Sequence, residues 1–118
     1  MDMLALLTAQ VNAEADTLAS TELVLGGQSV TLKASALTAQ DMTVLKRKHP
    51  DFMSNPSMEG MVDLLIRKAR LADGEKAFTL EHKPLLMRLA LNLVSGAFGE
   101  LFGEQLVADE PEVLEGNS

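Results

Sequence analysis

Glu22-Leu-Val-Leu-Gly-Gly-Gln-Ser-Val-Thr-Leu-Lys33 decides how this chain divides. Leu23 and Leu25, then Val30 and Leu32, alternate with polar residues on either side of Gly26-Gly27. Paired glycines permit the positive φ of a tight turn, and a two-residue or a four-residue loop alike leaves all four apolar side chains on one face. The spacing therefore predicts a β-hairpin at about 22–34. Two strands alone are marginal in water, so the hairpin must pack on a helix or lend an edge to another strand.

On both sides of the hairpin the apolar period changes from two to the spacing of a helix. Before it, Leu4, Leu7, Val11, Ala15 and Leu18 recur at intervals of three and four, which predicts a helix with one buried stripe. Asp2 stands where a signal peptide needs a basic residue and no long apolar run follows, so a secretory leader is not expected. After the hairpin, Thr38 is an N-cap with Asp41 as its capping-box partner, Leu37 and Met42 occupy the positions of a hydrophobic staple, and a helix is predicted from about Ala39 to Lys48. Lys46, Arg47 and Lys48 complement the negative end of that helix, and Pro50 discourages its continuation. A further helix is expected from Asn55 as N-cap and Pro56 as first residue to about Ala72. Met58, Met61, Val62, Leu65, Ala69 and Ala72 form its stripe, and Asp63 and Arg67 an exposed i,i+4 pair. Asp73-Gly74 turns the chain, and Phe78 anchors the connection.

The last helix is predicted to start between Thr79 and Pro84 and to end near Phe102. At 100° per residue, Arg88, Asn92, Ser95 and Gly99 share one polar stripe and apolar residues fill most of the remaining circumference. Leu86, Leu89, Leu93 and Ala97 face the chain's own core on this projection. Met87, Leu91, Val94, Phe98 and Phe102 form an adjoining face in excess of what a small core needs, and they are the candidate partner or self-association residues. A membrane span over 84–103 competes, but Arg88, Asn92 and Glu100 are costly there and the rest of the chain is polar enough for water. The spacing of Gly96, Gly99 and Gly103 allows close helix approach or loosens the end of the helix. The expected architecture is mainly α with a small β-hairpin (α+β): an N-terminal helix, the hairpin, then a three-helix cluster. It forms a single domain over 1–106, followed by a disordered acidic tail at 107–118.

At 118 residues the chain has room for one modest core. Ten Lys and Arg against seventeen Asp and Glu give a net charge of −7, so general attraction to nucleic acid or an anionic membrane is not expected. The charge is uneven: residues 1–32 carry −4 with no basic residue, residues 33–98 carry +3, and residues 99–118 carry −6. Acidic ends around a basic middle fit head-to-tail self-association, but ordinary solvated faces are the commoner explanation of such charge runs. The absence of Cys removes thiolate metal sites and thiol nucleophiles, and four Phe with no Trp or Tyr leave little to stack nucleic-acid bases on.

Catalytic groups do not converge in the sequence. His49 and His82 each lie beside a helix boundary, where capping or exposed roles are expected, and neither belongs to an H-E-x-x-H pattern. Gly26-Gly27 lacks the Lys-Ser/Thr of a P-loop, and no Ser has a nucleophile-elbow context. No enzyme activity, metal or cofactor is expected. Nucleic-acid binding has one local argument, a patch of Lys46-Arg47-Lys48-His49 with Arg67, Lys68 and Arg70, for which a pair of solvated helix ends is the plainer explanation.

The hairpin Glu22–Lys33, the helix start Ala36-Leu-Thr-Ala-Gln-Asp41, Met58-Glu-Gly-Met-Val-Asp-Leu-Leu-Ile66, the Asp73-Gly74 turn and the final apolar helix together resemble the tail assembly chaperones of long-tailed bacteriophages. The similarity runs over about residues 20–103 and includes no invariant catalytic signature, so no site residues transfer. It implies a mostly helical protein of the bacterial host cytoplasm that self-associates, sometimes as spirals. Such a protein coats the tape measure protein before tail assembly, helps recruit tail tube subunits, in some phages through a longer frameshifted product, and is absent from the mature virion. A small nucleic-acid-binding regulator and a virion structural component are the alternatives.

Overall fold

In a computed structural model that describes residues 2–16, 18–103 and 105, Gly26 and Gly27 take φ of 58° and 82°, the conformation of a two-residue hairpin turn. The strands they join, β1 (Leu18–Leu25) and β2 (Gln28–Ser35), extend beyond the predicted 22–34 and pair in register from Leu25 with Gln28 to Leu18 with Ser35. The register places Leu23, Leu25, Val30 and Leu32 on one face, and Leu23 and Leu32 are buried there.

The helix after the hairpin, α2 (Ala39–Lys48), has the predicted bounds because its start is fixed locally. Thr38 Oγ1 accepts the Asp41 N–H at 3.0 Å, and Asp41 Oδ2 accepts the Thr38 N–H at 2.9 Å, completing the capping box. Leu37 and Met42 pack half-buried against the core, as a staple should. The next helix, α3 (Met58–Lys68), corrects the expectation at both ends. Its N-cap is Ser57, whose Oγ accepts the Gly60 N–H at 3.0 Å, rather than Asn55. It stops at Lys68, where Ala69 turns extended, and β3 (Arg70–Leu71) pairs with Lys33 and Leu32 of β2. A third strand on the hairpin's edge takes the residues that helical periodicity assigned to the last turn of a helix, and Ala72 is exposed. α3 also buries Leu64 and Ile66 beyond its predicted stripe, because it is covered on more than one side.

The last helix is broken. A 3-10 turn at Leu80–His82 leads into α4 (Lys83–Leu86), the chain turns through 87–90, α5 (Leu91–Phe98) begins after an extended Ala90, and a π-helical turn follows at Gly99–Gly103. A Cβ at Gly96, Gly99 or Gly103 would meet nothing within 4 Å, which excludes close helix approach as their role here; the wider π turn at the end agrees with the loosened terminus.

The core lies between one face of the β1-β2-β3 sheet and α2, α3, α4 and α5. Phe52, Leu32, Leu64, Val62, Leu101 and Phe102 are its most enclosed large side chains. With 55% of the described residues helical and 19% in strands, the fold is α+β and mainly α. The N-terminal helix, α1 (Met3–Asp16), stands apart from this core and has no buried residue, so the stripe predicted to pack does not; Leu18, assigned to it, belongs to β1. The molecule is correspondingly long, 51 × 38 × 24 Å. The acidic tail expected at 107–118 lies outside the described residues.

A candidate interaction surface and a closed ion cluster

The five residues nominated from the last helix do not share a surface. Val94, Phe98 and Phe102 are buried in the chain's own core, while Met87 and Leu91 are exposed. Phe98 packs edge-on against Phe52 with ring centroids 6.0 Å apart, and against Phe102 at 5.4 Å. The turn at 87–90, which no Gly or Pro marks in the sequence, separates Met87 from α5, and α5 itself is covered on both adjoining faces, burying Val94 and Phe98 as well as Ala97. Of the face assigned to the core, Leu86 and Ala97 are buried and Leu89 and Leu93 half-buried.

Unpartnered apolar surface is concentrated on α1 instead. Met3, Leu4, Leu6, Leu7 and Val11 are 51–74% exposed. Its side-chain bonds are local: Asp2 Oδ1 caps the Leu4 N–H at 3.1 Å, and Gln10 donates to Glu14 at 2.8 Å. Only its C-terminal half approaches the body, where Gln10, Ala13 and Glu14 lie beside Ala36 and Leu37. Large apolar side chains in such a group, on a helix with no core of its own to cover, mark an interaction surface.

The titratable groups form two clusters. In the first, Asp41, buried at the start of α2, receives Arg67 Nε at 2.8 Å and Lys68 Nζ at 2.9 Å from the end of α3. Burial by itself would raise the Asp41 pKa, but Lys68, the Thr38 N–H and Arg67 outweigh it and lower the value from 3.8 to about 2. In the second, Asp63 on α3 accepts from Lys83 Nζ at 2.8 Å and lies 2.8 Å from His49 Nε2, while Lys83 also reaches Glu59 at 2.7 Å. Lys48 adds longer contacts of 3.5 and 3.7 Å to Glu59 and Asp63. Burial pushes Asp63 upward, and the bonds from Lys83 and His49 overcome it, so its carboxyl is held below the ordinary range; Lys83 does the same for Glu59. The paired carboxylates in turn raise Lys83 above the ordinary lysine range. The expected Asp63–Arg67 pair is therefore replaced by contacts between elements.

His49, Glu59 and Asp63 bring one ligand atom each within 4.8 Å of one another, the one such group among the described residues. The Lys83 ammonium bridges the two carboxylates at hydrogen-bonding distance, and the set forms an ion network tying α2, α3 and α4 together. His82 has a capping role: its Nδ1 accepts the Thr79 N–H at 3.0 Å. Lys48, Arg67 and Lys68 of the basic patch are committed to carboxylates, whereas Lys46 and Arg47 are in no ion pair among the described residues. No helix among the described residues is long and apolar enough to cross a membrane. No protein-family model, curated protein or solved structure matches the chain.

Proposed function

We propose that this chain is a non-enzymatic tail assembly chaperone of the long-tailed phage type. It self-associates, binds and shields the tape measure protein, and helps recruit tail tube subunits in the host cytoplasm. α1 carries this reading: a helix whose Leu4, Leu6, Leu7 and Val11 are left in water has surface to offer another apolar helix, which is what shielding a long helical client requires. The contact surface thus moves from the last helix to the first. The nucleic-acid alternative has less support, because three of its six basic residues already bind Asp41, Glu59 or Asp63.

Co-purification with a tape measure protein tests the proposal. Leu4→Asp with Leu7→Asp should abolish capture while circular dichroism and the melting temperature stay near those of the parent, since neither residue packs in the core. Capture that survives in this variant rejects α1 as the client surface. Persistence of the chain in purified particles would instead favour a structural component, and DNA binding that weakens steeply with salt and disappears on neutralising Lys46 and Arg47 would favour the regulator.

A further inference from the structure

The register of the sheet sets three cations in one row. Lys33 of β2 lies directly opposite Arg70 of β3, and Arg70 forms a further antiparallel bridge with Lys76. Opposite residues project from the same face of a sheet, and for Lys33 and Arg70 it is the face away from the core, because the neighbouring pair, Leu32 and Leu71, turns inward. Like charges so placed stand about 4.5–5.5 Å apart at their Cα atoms and destabilise the pairing. Nothing among the described residues offsets them. The Lys33 and Arg70 side chains are in no ion pair, and the Lys76 ammonium has only the neutral Ile66 carbonyl, at 2.7 Å. Glu22, the carboxylate on the same face, sits opposite Thr31 and accepts from Ser29 and Thr31 instead. Beside Arg70 a groove of about 420 Å³ opens between Leu18, Ser35 and the end of α3, and Asp41, its one carboxylate among the described residues, is already held by Arg67 and Lys68.

The same chain supplies an anion within reach of this row. Gln105 Oε1 accepts the Leu37 N–H at 2.6 Å, which ties residue 105 to a point four residues beyond Lys33. Residues 106–118 follow, with Asp109, Glu110, Glu112 and Glu115 and no Lys or Arg. At about 3.3–3.6 Å per extended residue, the step from 37 back to 33 and the step from 105 on to 109 are of equal length, ~14 Å, so these carboxylates reach the row. Pro111 favours extended backbone at Glu110, and in an extended chain Glu110 and Glu112 project to one side about 6.6 Å apart, a spacing that two neighbouring cations match. We infer that the acidic segment 109–115 lies across the outer face of the sheet of its own chain, its carboxylates set against Lys33 and Arg70. Covalent attachment gives the segment an effective concentration of about millimolar at the row, whereas a free polyanion must approach a chain of net charge −7. The assignment goes beyond the reading of α1 as a partner-binding helix and does not depend on it.

A single spin label tests the placement, because the chain has no Cys and Ser118→Cys adds one thiol. In the labelled full chain the amide resonances of Lys33 and Arg70 should broaden several-fold more than those of Gly26 and Gly27, at the far end of the same strands. The difference should vanish at about 1 M salt, where the screening length falls to about 3 Å. Lys33→Gln with Arg70→Gln should weaken it while circular dichroism stays that of the parent. Lys33→Glu with Arg70→Glu should abolish it, and Asp109→Lys, Glu110→Lys, Glu112→Lys and Glu115→Lys added to that variant should restore it. A spin-labelled chain mixed with an isotope-labelled chain that carries no spin label should broaden neither amide. Equal broadening at the turn and the row, an effect undiminished in the folded glutamine variant, no restoration by the reversed segment, or broadening only between chains overturns the inference. Lys33 and Arg70 resonances that shift on addition of a DNA duplex, with no response to the labelled segment, give the row to phosphates and overturn it as well.

Discussion

α1 and α3 both carry apolar residues at spacings of three and four, yet α3 buries Val62, Leu64, Leu65 and Ile66 while α1 buries nothing. Periodicity states that a helix has an apolar side; the rest of the chain decides whether anything covers it. A fully buried Leu, Val or Ile contributes about 1.5–3 kcal/mol, so α3 is fixed by its neighbours. A helix of 14 residues without that support is marginal in water. α1 therefore belongs to the low-stability end of the molecule, where partner-binding elements are found.

Truncation should break the comparison most sharply. Phe102→Ala, in the aromatic cluster beneath the helices, is expected to cost about 3–5 kcal/mol in denaturant unfolding. Leu7→Ala in α1 should fall within about 0.5 kcal/mol of the parent at concentrations where the chain is monomeric. A large effect at Leu7 under those conditions would mean that α1 docks on its own body.

Smaller effects sharpen the picture of what holds the body together. Asp41→Asn leaves Arg67 and the largely buried Lys68 without their carboxylate and should cost about 3 kcal/mol. Because the folded pKa of Asp41 lies near 2, below its ordinary 3.8, the stability it provides is complete above about pH 4 and is lost as the pH falls towards 2. Unfolding followed through that window should show a shallower loss in Asp41→Asn than in the parent, with the depressed Asp63 and Glu59 supplying what slope remains. Gly60→Ala would bring a Cβ to 2.6 Å from Cδ1 of the buried Phe52, and should destabilise α3 by about 1–3 kcal/mol.

Features settled within a few residues were legible in the sequence. Gly26-Gly27 and the alternation around it led to the hairpin, and Thr38, Asp41, Leu37 and Met42 led to α2 with its bounds. Features set by distant partners were not. The pairing of Arg70 and Leu71 with β2 overrode a helical pattern. The turn at 87–90 carries no breaker, and α5 is covered on both adjoining faces, so Val94, Phe98 and Phe102, assigned to a surface, fill the core; of that nominated set Met87 and Leu91 alone remain exposed. The contact of His49 with Asp63 joins two helices and leaves no trace in spacing. The exposed apolar helix was visible as a stripe, but only the fold shows that nothing among the described residues buries it.

Amide hydrogen exchange across α1, followed as the protein is concentrated, tests most directly whether that stripe is reserved for another molecule. In dilute solution the amides of 6–16 should exchange nearly as fast as an unfolded peptide while those of α3 stay protected, and concentration or client should slow α1 alone. Protection of α1 equal to that of α3 at every dilution would contradict the account.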